Sequence, residues 1–205
     1  MRVLEIFCGT KSIGKVAEKM GHSVVSIDIE KKFEPTIVAD VLKWDYKQFR
    51  PGYFDFIWAS PPCTEFSKAK TNGVRDIKSA TKLVRRTLRI IEYFKPKYFV
   101  IENPVGLLRH QPVMKNYMHL MKTVSYCRYG FLYKKDTDLW TNILFKPKKC
   151  VKGSHCQSMK EVGHHTQSVQ QGATYCNGER IKSTHKLIDR YSIPKGLVCD
   201  IFRST

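Results

Sequence analysis

No stretch of this chain approaches the roughly eighteen consecutive apolar residues that a membrane-crossing helix needs, so a soluble protein with no membrane partner is expected. The first residues run straight into Val3-Leu4-Glu5-Ile6-Phe7 without the charged and apolar regions of a secretory signal, which points to an intracellular location. Cysteine usage does not suit a disulfide framework. There are 7, an odd number, spread widely, with no CxxC pair, in a chain of 205 residues that is long enough to bury a core. Free thiols in a reducing compartment are expected. Acidic residues are also scarce, 18 Asp and Glu against 36 Lys and Arg, for a net charge of +18. Such a surplus favours a polyanionic partner, nucleic acid before membrane, although a general bias toward lysine is the plainer account. No internal repeat is visible, and the length suits one domain with a small appendage.

Within these limits the chain alternates short apolar runs with amphipathic ones. Val3 to Phe7 reads as a strand, Cys8-Gly9-Thr10-Lys11-Ser12 as a turn, and Ile13, Val16, Ala17 and Met20 fall at helical spacing before Gly21. A second strand, Ser23 to Ile27, ends on Asp28 and Glu30. A third, Thr36 to Ala39, ends on Asp40. In a parallel sheet with crossover helices, such strand ends meet a nucleoside: the loop and helix N-terminus lie near one part, and a carboxylate can accept two vicinal ribose hydroxyls. The first loop is weak evidence by itself, with one glycine where a dinucleotide fingerprint has three.

The next strand is an apolar run, Tyr53 to Trp58, that meets Ala59-Ser60-Pro61-Pro62-Cys63. Two prolines fix two φ angles and remove two donors, which stiffens the loop and presents Cys63 at a defined place. A packed, inert thiol is the competing reading of Cys63. Lys68 to Asp76 is polar and aperiodic and reads as a mobile loop. Ile77 to Phe94 reads as a long helix with Ala80, Val84, Thr87, Leu88 and Ile91 on one face. Lys78, Lys82, Arg85, Arg86 and Arg89 share another face, either a phosphate-facing stripe or a solvated one. Lys97 to Ile101 is a buried strand that delivers Glu102-Asn103-Pro104. A carboxylate there is costly unless paired or used, and a capping or salt-bridged role is the alternative. Pro112 to Met121 reads as helical, Ser125 to Arg128 and Leu139 to Phe145 as strands, and Gly196 to Phe202 as a closing helix after Leu187 to Pro194.

From Lys146 to about Lys182 the chain is rich in Lys, Gly, Ser, Gln and His and poor in apolar residues. The expected organisation is therefore a core over 1–146, a basic insert over 147–182 and a closing segment over 183–205. The insert carries Cys150, His155, Cys156, His164, His165 and Cys176. Thiolates and imidazoles at these separations suit a zinc site, with Cys150, Cys156, His164 and Cys176 as candidates, and a disordered basic nucleic-acid contact loop is the alternative. The expected fold class is α/β, a Rossmann-like, mostly parallel sheet with helices on both faces.

The order of strand-end groups, Phe7-Cys8-Gly9-Thr10, Asp28, Asp40, Ser60-Pro61-Pro62-Cys63 and Glu102-Asn103-Pro104, resembles the DNA (cytosine-5) methyltransferase family over roughly residues 3–145. The resemblance implies an enzyme that binds S-adenosylmethionine and methylates cytosine C5 in DNA, with RNA as the alternative substrate. It implies that Cys63, next to Pro62, attacks C6 of a flipped base while Glu102, next to Asn103, holds N3 and the amine and supplies a proton. For the cofactor it implies Phe7, Cys8, Gly9 and Thr10 along one side, Asp28 on the ribose, Ile29 against adenine, Asp40 and Val41 near the adenine amine, and Ser60 and Pro61 alongside.

Three departures stand out. Lys11 occupies the family's second glycine position, where its Cβ conflicts with a left-handed backbone or crowds the cofactor. The later arginine motif becomes Lys134-Lys135-Asp136-Thr137, leaving Lys135 and Thr137 to contact the base. Ser192-Ile193-Pro194 resembles the closing motif, but there is too little chain before it for a separate target-recognition domain, so sequence preference is expected to be short or loose. So compact a methylase, expected to be monomeric, fits a phage or large virus. A nucleic-acid-binding protein that kept the fold with weak catalysis is the reading from another class, opposed by the intact Cys63 and Glu102.

Overall fold

The central apolar runs carry large side chains on both alternating faces, so their strands are satisfied only in a sheet covered on both sides. The computed structural model describes residues 1–68, 70–151, 156, 165, 173–176, 179–182 and 191–205, the two short stretches 173–176 and 179–182 through their backbone alone. Seven strands, β1 (Arg2–Ile6), β2 (Ser23–Asp28), β3 (Ile37–Val38), β4 (Phe56–Ala59), β5 (Tyr98–Pro104), β6 (Met121–Ser125) and β7 (Asp136–Thr141), form one sheet in the order β3-β2-β1-β4-β5-β7-β6. β1 to β5 run parallel, and β7 is antiparallel to both β5 and β6.

Alternation decides which helix each residue meets. Leu4, Ile6, Ile57 and Ile101 pack with Ala80, Val84, Leu88, Ile91 and Phe94 of α2 (Ile77–Phe94), while Val3, Phe56, Trp58 and Val100 face α1 (Gly14–Lys19) and α3 (Lys195–Arg203) on the other side. Asp76 caps α2 by accepting from the Ser79 amide at 2.9 Å, and Lys95, with φ of 46°, ends it in the left-handed conformation.

Register sets up the site. Ile27, Ile6, Ala59 and Ile101 lie side by side across β2, β1, β4 and β5, so the residues that follow them, Asp28, Phe7, Ser60 and Glu102, leave the sheet at one edge. The strand order turns back between β1 and β4, the switch point at which open α/β sheets form a ligand crevice.

The structure departs from the sequence reading in four places. Strand β6 ends at Ser125, where Ser125 to Arg128 was expected to be extended; Tyr126–Tyr129 instead forms a 3-10 turn that Gly130 closes with φ of 108°. β7 begins at Asp136, upstream of the apolar run, because Asp136 pairs with Ser125, and it ends at Thr141, whose hydroxyl bonds the Phe99 carbonyl. The polar loop after Cys63 is tied down by Glu65, which accepts from Lys70 Nζ and from the Asp76 amide, each at 2.7 Å. Arg86 is not available to a phosphate: it donates to the carbonyls of Val41 and Trp44 and stacks over Tyr46, so only Lys78, Lys82, Arg85 and Arg89 of the stripe are exposed.

Within 147–182, β8 (Ala173–Cys176) pairs antiparallel with β9 (Glu179–Lys182). The expected chain from Leu187 to Arg190 lies outside the described residues. Among the described residues no helix is long and apolar enough to cross a membrane.

Candidate active site

A cavity of about 720 Å³ opens at the level edge of the sheet. Cys63 and Glu102, contributed by the loop after β4 and by β5, both line it, together with Lys135 from the chain entering β7. Its other end is lined by Phe7, Cys8, Gly9, Ser12, Asp28 and Ile29, with Ser60, Pro61 and Pro62 between.

The loop that presents Cys63 is fixed from several sides. The Ser60 amide donates to the Ile6 carbonyl, and Asn103 Nδ2 donates to the Pro61 carbonyl at 2.9 Å. Beyond Cys63 a tight turn closes as the Phe66 and Ser67 amides donate to the Cys63 carbonyl. Phe66 is wholly buried, and its carbonyl accepts from Leu107 at 2.8 Å. Gly106 is required here: a Cβ on it would sit 2.2 Å from the Phe66 carbonyl oxygen, so only glycine lets the Cys63 turn and the loop after Glu102 touch.

Glu102 is 6% exposed, and Tyr126 donates its hydroxyl to Oε1 at 2.9 Å. Burial and the neighbouring carboxylate hold the Tyr126 phenol well above its ordinary range, so it stays a donor. Lys135 extends over the Tyr126 ring, 4.8 Å from its centre. Two cysteines line the cavity and their surroundings separate them. Cys8 is pushed up to about 12 by burial, with Glu5 and Asp28 adding to the rise. Burial also raises Cys63, but the Lys135 ammonium pulls it down against that and against Glu102. At Cys8 the Lys11 ammonium opposes the rise only behind burial, Glu5 and Asp28, whereas at Cys63 the Lys135 ammonium is the largest influence after burial, so Cys63 is the thiol whose anion is better supported.

That arrangement gives a directional expectation. Iodoacetamide should modify Cys63 faster as pH rises through the alkaline range, and Lys135→Met should move the whole rate profile to higher pH, because removing the ammonium disfavours the thiolate. Site-resolved mass spectrometry measures both profiles, and superimposable curves would show that Lys135 does not act on the sulfur.

At the other end, Asp28 accepts from the Gly9 amide through Oδ2 and from the Glu30 amide through Oδ1, each at 2.9 Å, which uses two of a carboxylate's roughly four acceptor positions. Ile29 is 64% exposed, a bare apolar side chain at the rim. Glu5 accepts from the Ile13 and Gly14 amides and so holds the loop to the start of α1; burial pushes its carboxyl up to about 7 against those two donors. A Cβ on Gly14 would lie 2.8 Å from Glu5 Oε2. Lys11 adopts φ of 55°, the left-handed conformation anticipated for the glycine position it fills, at a cost of about 1–2 kcal/mol, and it does not line the cavity, so it does not crowd it.

Several expected residues fall elsewhere. Thr10 bonds Ser12 and leaves the cavity wall to it. β3 is only two residues long, and Asp40 beyond it accepts from the Leu42 amide, while Val41 is buried in the core; neither reaches the cavity. Thr137 is fully buried, and Asn103 acts through the Pro61 carbonyl without lining the wall. The sequence does not single out Glu5, which lines the cavity, or Tyr126 and Gly106, which do not line it but hold Glu102 and the Cys63 turn. In the closing segment, where Ser192-Ile193-Pro194 resembles the family motif, Tyr191 and Ile193 line the cavity, and the Ile193 amide donates to Ser12 Oγ at 3.1 Å. Of the proposed metal ligands, His164 and the Cys176 side chain lie outside the described residues, whereas Cys150 and Cys156 approach each other with Cys127 and His165.

A family model for C-5 cytosine-specific DNA methylases matches residues 1–134. The chain belongs to that family. It is 34% identical over 217 aligned residues to the probable DNA (cytosine-5)-methyltransferase of Frog virus 3 (isolate Goorha), covering 98% of each chain. It is 30% identical over 126 residues to the type II methyltransferase M.AgeI of Thalassovita gelatinovora, covering 53% of this chain and 29% of that protein. Its fold is also similar to the crystal structure of the S. pombe Dnmt2 methyltransferase, with a TM-score of 0.52 and 16% identity, covering 78% of this chain and 54% of that one. The chain thus spans about half of the solved structure but nearly all of the viral relative.

Proposed function

We propose that the protein methylates C5 of cytosine in DNA, with Cys63 as nucleophile and Glu102 as the group that holds the base. One observation carries the proposal: Cys63 and Glu102, delivered from neighbouring strands just past the paired Ala59 and Ile101, line one cavity whose far end presents Asp28. The net charge of +18 suits a polyanionic substrate.

S-adenosylmethionine fits that far end: Asp28 has acceptor capacity for ribose hydroxyls, exposed Ile29 offers an apolar face, and Gly9 leaves the loop wall open, since a Cβ there would meet nothing within 4 Å. When bound it supplies an electrophilic methyl group. The chain's own residues do the rest. C6 of a stacked cytosine is out of reach, so the base leaves the duplex and enters the cavity. Cys63 Sγ forms a bond to C6, its electron pair displacing the ring π electrons toward C5, while Glu102 meets N3 and the amine and lends a proton as charge develops there. Tyr126 fixes the Glu102 carboxyl through the hydroxyl bond, and Asn103 fixes the loop that bears the sulfur. Once C5 is methylated, loss of its proton returns electrons to the ring and breaks the C6–Sγ bond, restoring the thiolate.

A duplex carrying 5-fluorocytosine tests the reading, because the fluorine cannot leave as a proton does. With S-adenosylmethionine present, a stable DNA–protein adduct attached at Cys63 is expected, and an ordinary duplex should gain 5-methylcytosine. Folded protein that gives neither product on cytosine-bearing duplexes of varied sequence, or an adduct at another residue, would overturn the proposal. A single-stranded RNA of the same sequence serves as the comparison and is expected to react more slowly.

A further inference from the structure

Beside β6, the outer strand of the sheet, three buried cysteines and a histidine converge: the sulfurs of Cys127, Cys150 and Cys156 and a ring nitrogen of His165 all lie within 4.8 Å of one another. We propose that these four side chains form a structural zinc site that clamps the segment after Lys146 to the core. Buried thiols often pack as small hydrophobes, but that account does not explain an imidazole aimed at two of them. His165 Nε2 lies 3.3 Å from Cys156 Sγ and 3.8 Å from Cys150 Sγ. Zn–S bonds of about 2.3 Å and Zn–N bonds of about 2.0–2.1 Å at tetrahedral angles put ligand S and N about 3.6 Å apart, between the two observed separations. None of the three cysteines is in a disulfide. A three-sulfur, one-nitrogen tetrahedron with all four positions taken by protein is a closed site, which suits a structural ion.

The core supplies two of the ligands in fixed positions. Cys127 lies in the 3-10 turn after β6, and the Cys150 amide donates to Ser125 Oγ at 2.9 Å, with Ser125 in turn bonded to Asp136. Cys156 and His165 come from a stretch too poor in apolar residues to hold itself in place by burial. Coordination supplies what that composition lacks. The turn that carries Cys127 begins at Tyr126, whose hydroxyl holds Glu102, so the metal also braces the residue behind the cavity. The site is separate from the proposed methyl transfer and its test does not require activity.

Full-length protein purified under reducing conditions should hold about one zinc per chain by elemental analysis. Replacement with Co²⁺ should give the visible bands of a tetrahedral site with thiolate charge transfer. Cys127→Ser, Cys150→Ser and His165→Ala should each weaken Zn²⁺ binding by more than about tenfold, whereas His165→Cys, which keeps four ligands, and Cys199→Ser, which is not one of the four, should retain it. Should a serine variant fail to fold, intact protein decides: a strong chelator should release zinc and expose the three ligand thiols to a thiol reagent. Reduced protein that neither contains nor takes up Zn²⁺, or a folded Cys127→Ser variant with an unchanged Co²⁺ spectrum, would overturn the proposal.

Discussion

Cys63→Ala should lower methyl transfer to cytosine by about 10⁴-fold or more while leaving the thermal unfolding midpoint close to that of the parent protein. C5 of cytosine is a poor nucleophile, and bonding sulfur to C6 is what makes it electron-rich. Alanine keeps the shape of the Pro-Pro loop but removes the atom that forms this bond. The loop's anchors all lie outside the side chain: the Ser60 amide on Ile6, Asn103 on Pro61, and the Phe66 carbonyl on Leu107. Cys63 itself is only partly buried. Removing one sulfur there should change stability by no more than about 1 kcal/mol. Labelled methyl transfer and a melting curve on the same preparation separate the two effects. Cys199→Ala is the matched control for general thiol loss. Transfer that survives Cys63→Ala within about tenfold would remove the sulfur from the reaction, since loss of a working nucleophile is not masked by binding energy.

Local grammar made much of this legible in the sequence. The apolar runs gave the strands, and the strand-end groups Phe7, Asp28, Ser60 and Glu102 do emerge at one edge, because a parallel sheet with level pairing permits nothing else. The bounds of α2 were readable from its periodicity, while its cap, Asp76, had the look of plain loop. What escaped notice depends on neighbours far away in sequence. Tyr126 looked like part of a strand, and only the turn after β6 aims its hydroxyl at Glu102. Arg86 shares a helical stripe with Arg85 and Arg89, and periodicity has no means of showing that the Val41 and Trp44 carbonyls await it. Asp40 followed an apolar run as Asp28 did, yet β3 stops after two residues and the side chain turns back onto its own loop. Cys127 was separated from the other metal candidates by twenty residues or so of core, a gap that the fold closes and that spacing rules, built on adjacent pairs, do not address.

The largest effect on stability should come from Arg109→Met. Asp138 lies on β7 directly opposite Asn103 of β5, between Thr137 and Leu139, and its side chain is 1% exposed. Arg109, from the turn after β5, grips both carboxylate oxygens, Nε donating to Oδ2 at 2.8 Å, while Thr123 of β6 donates to Oδ1 at 2.8 Å. Methionine matches much of the arginine's apolar stem but leaves a buried carboxylate with one neutral donor. Breaking a buried pair in this way costs about 3–5 kcal/mol, most of it the penalty of an uncompensated charge. In a chain of this size each kcal/mol moves the melting midpoint by about 2–4 °C, so a fall of about 10 °C is expected. The second substitution identifies the cause. Asp138→Asn added to Arg109→Met removes the stranded charge, and the double variant should melt above the single one, a coupling that independent sites do not show. Equal midpoints for the single and double variants would mean that the arginine matters for its bulk and not for its charge.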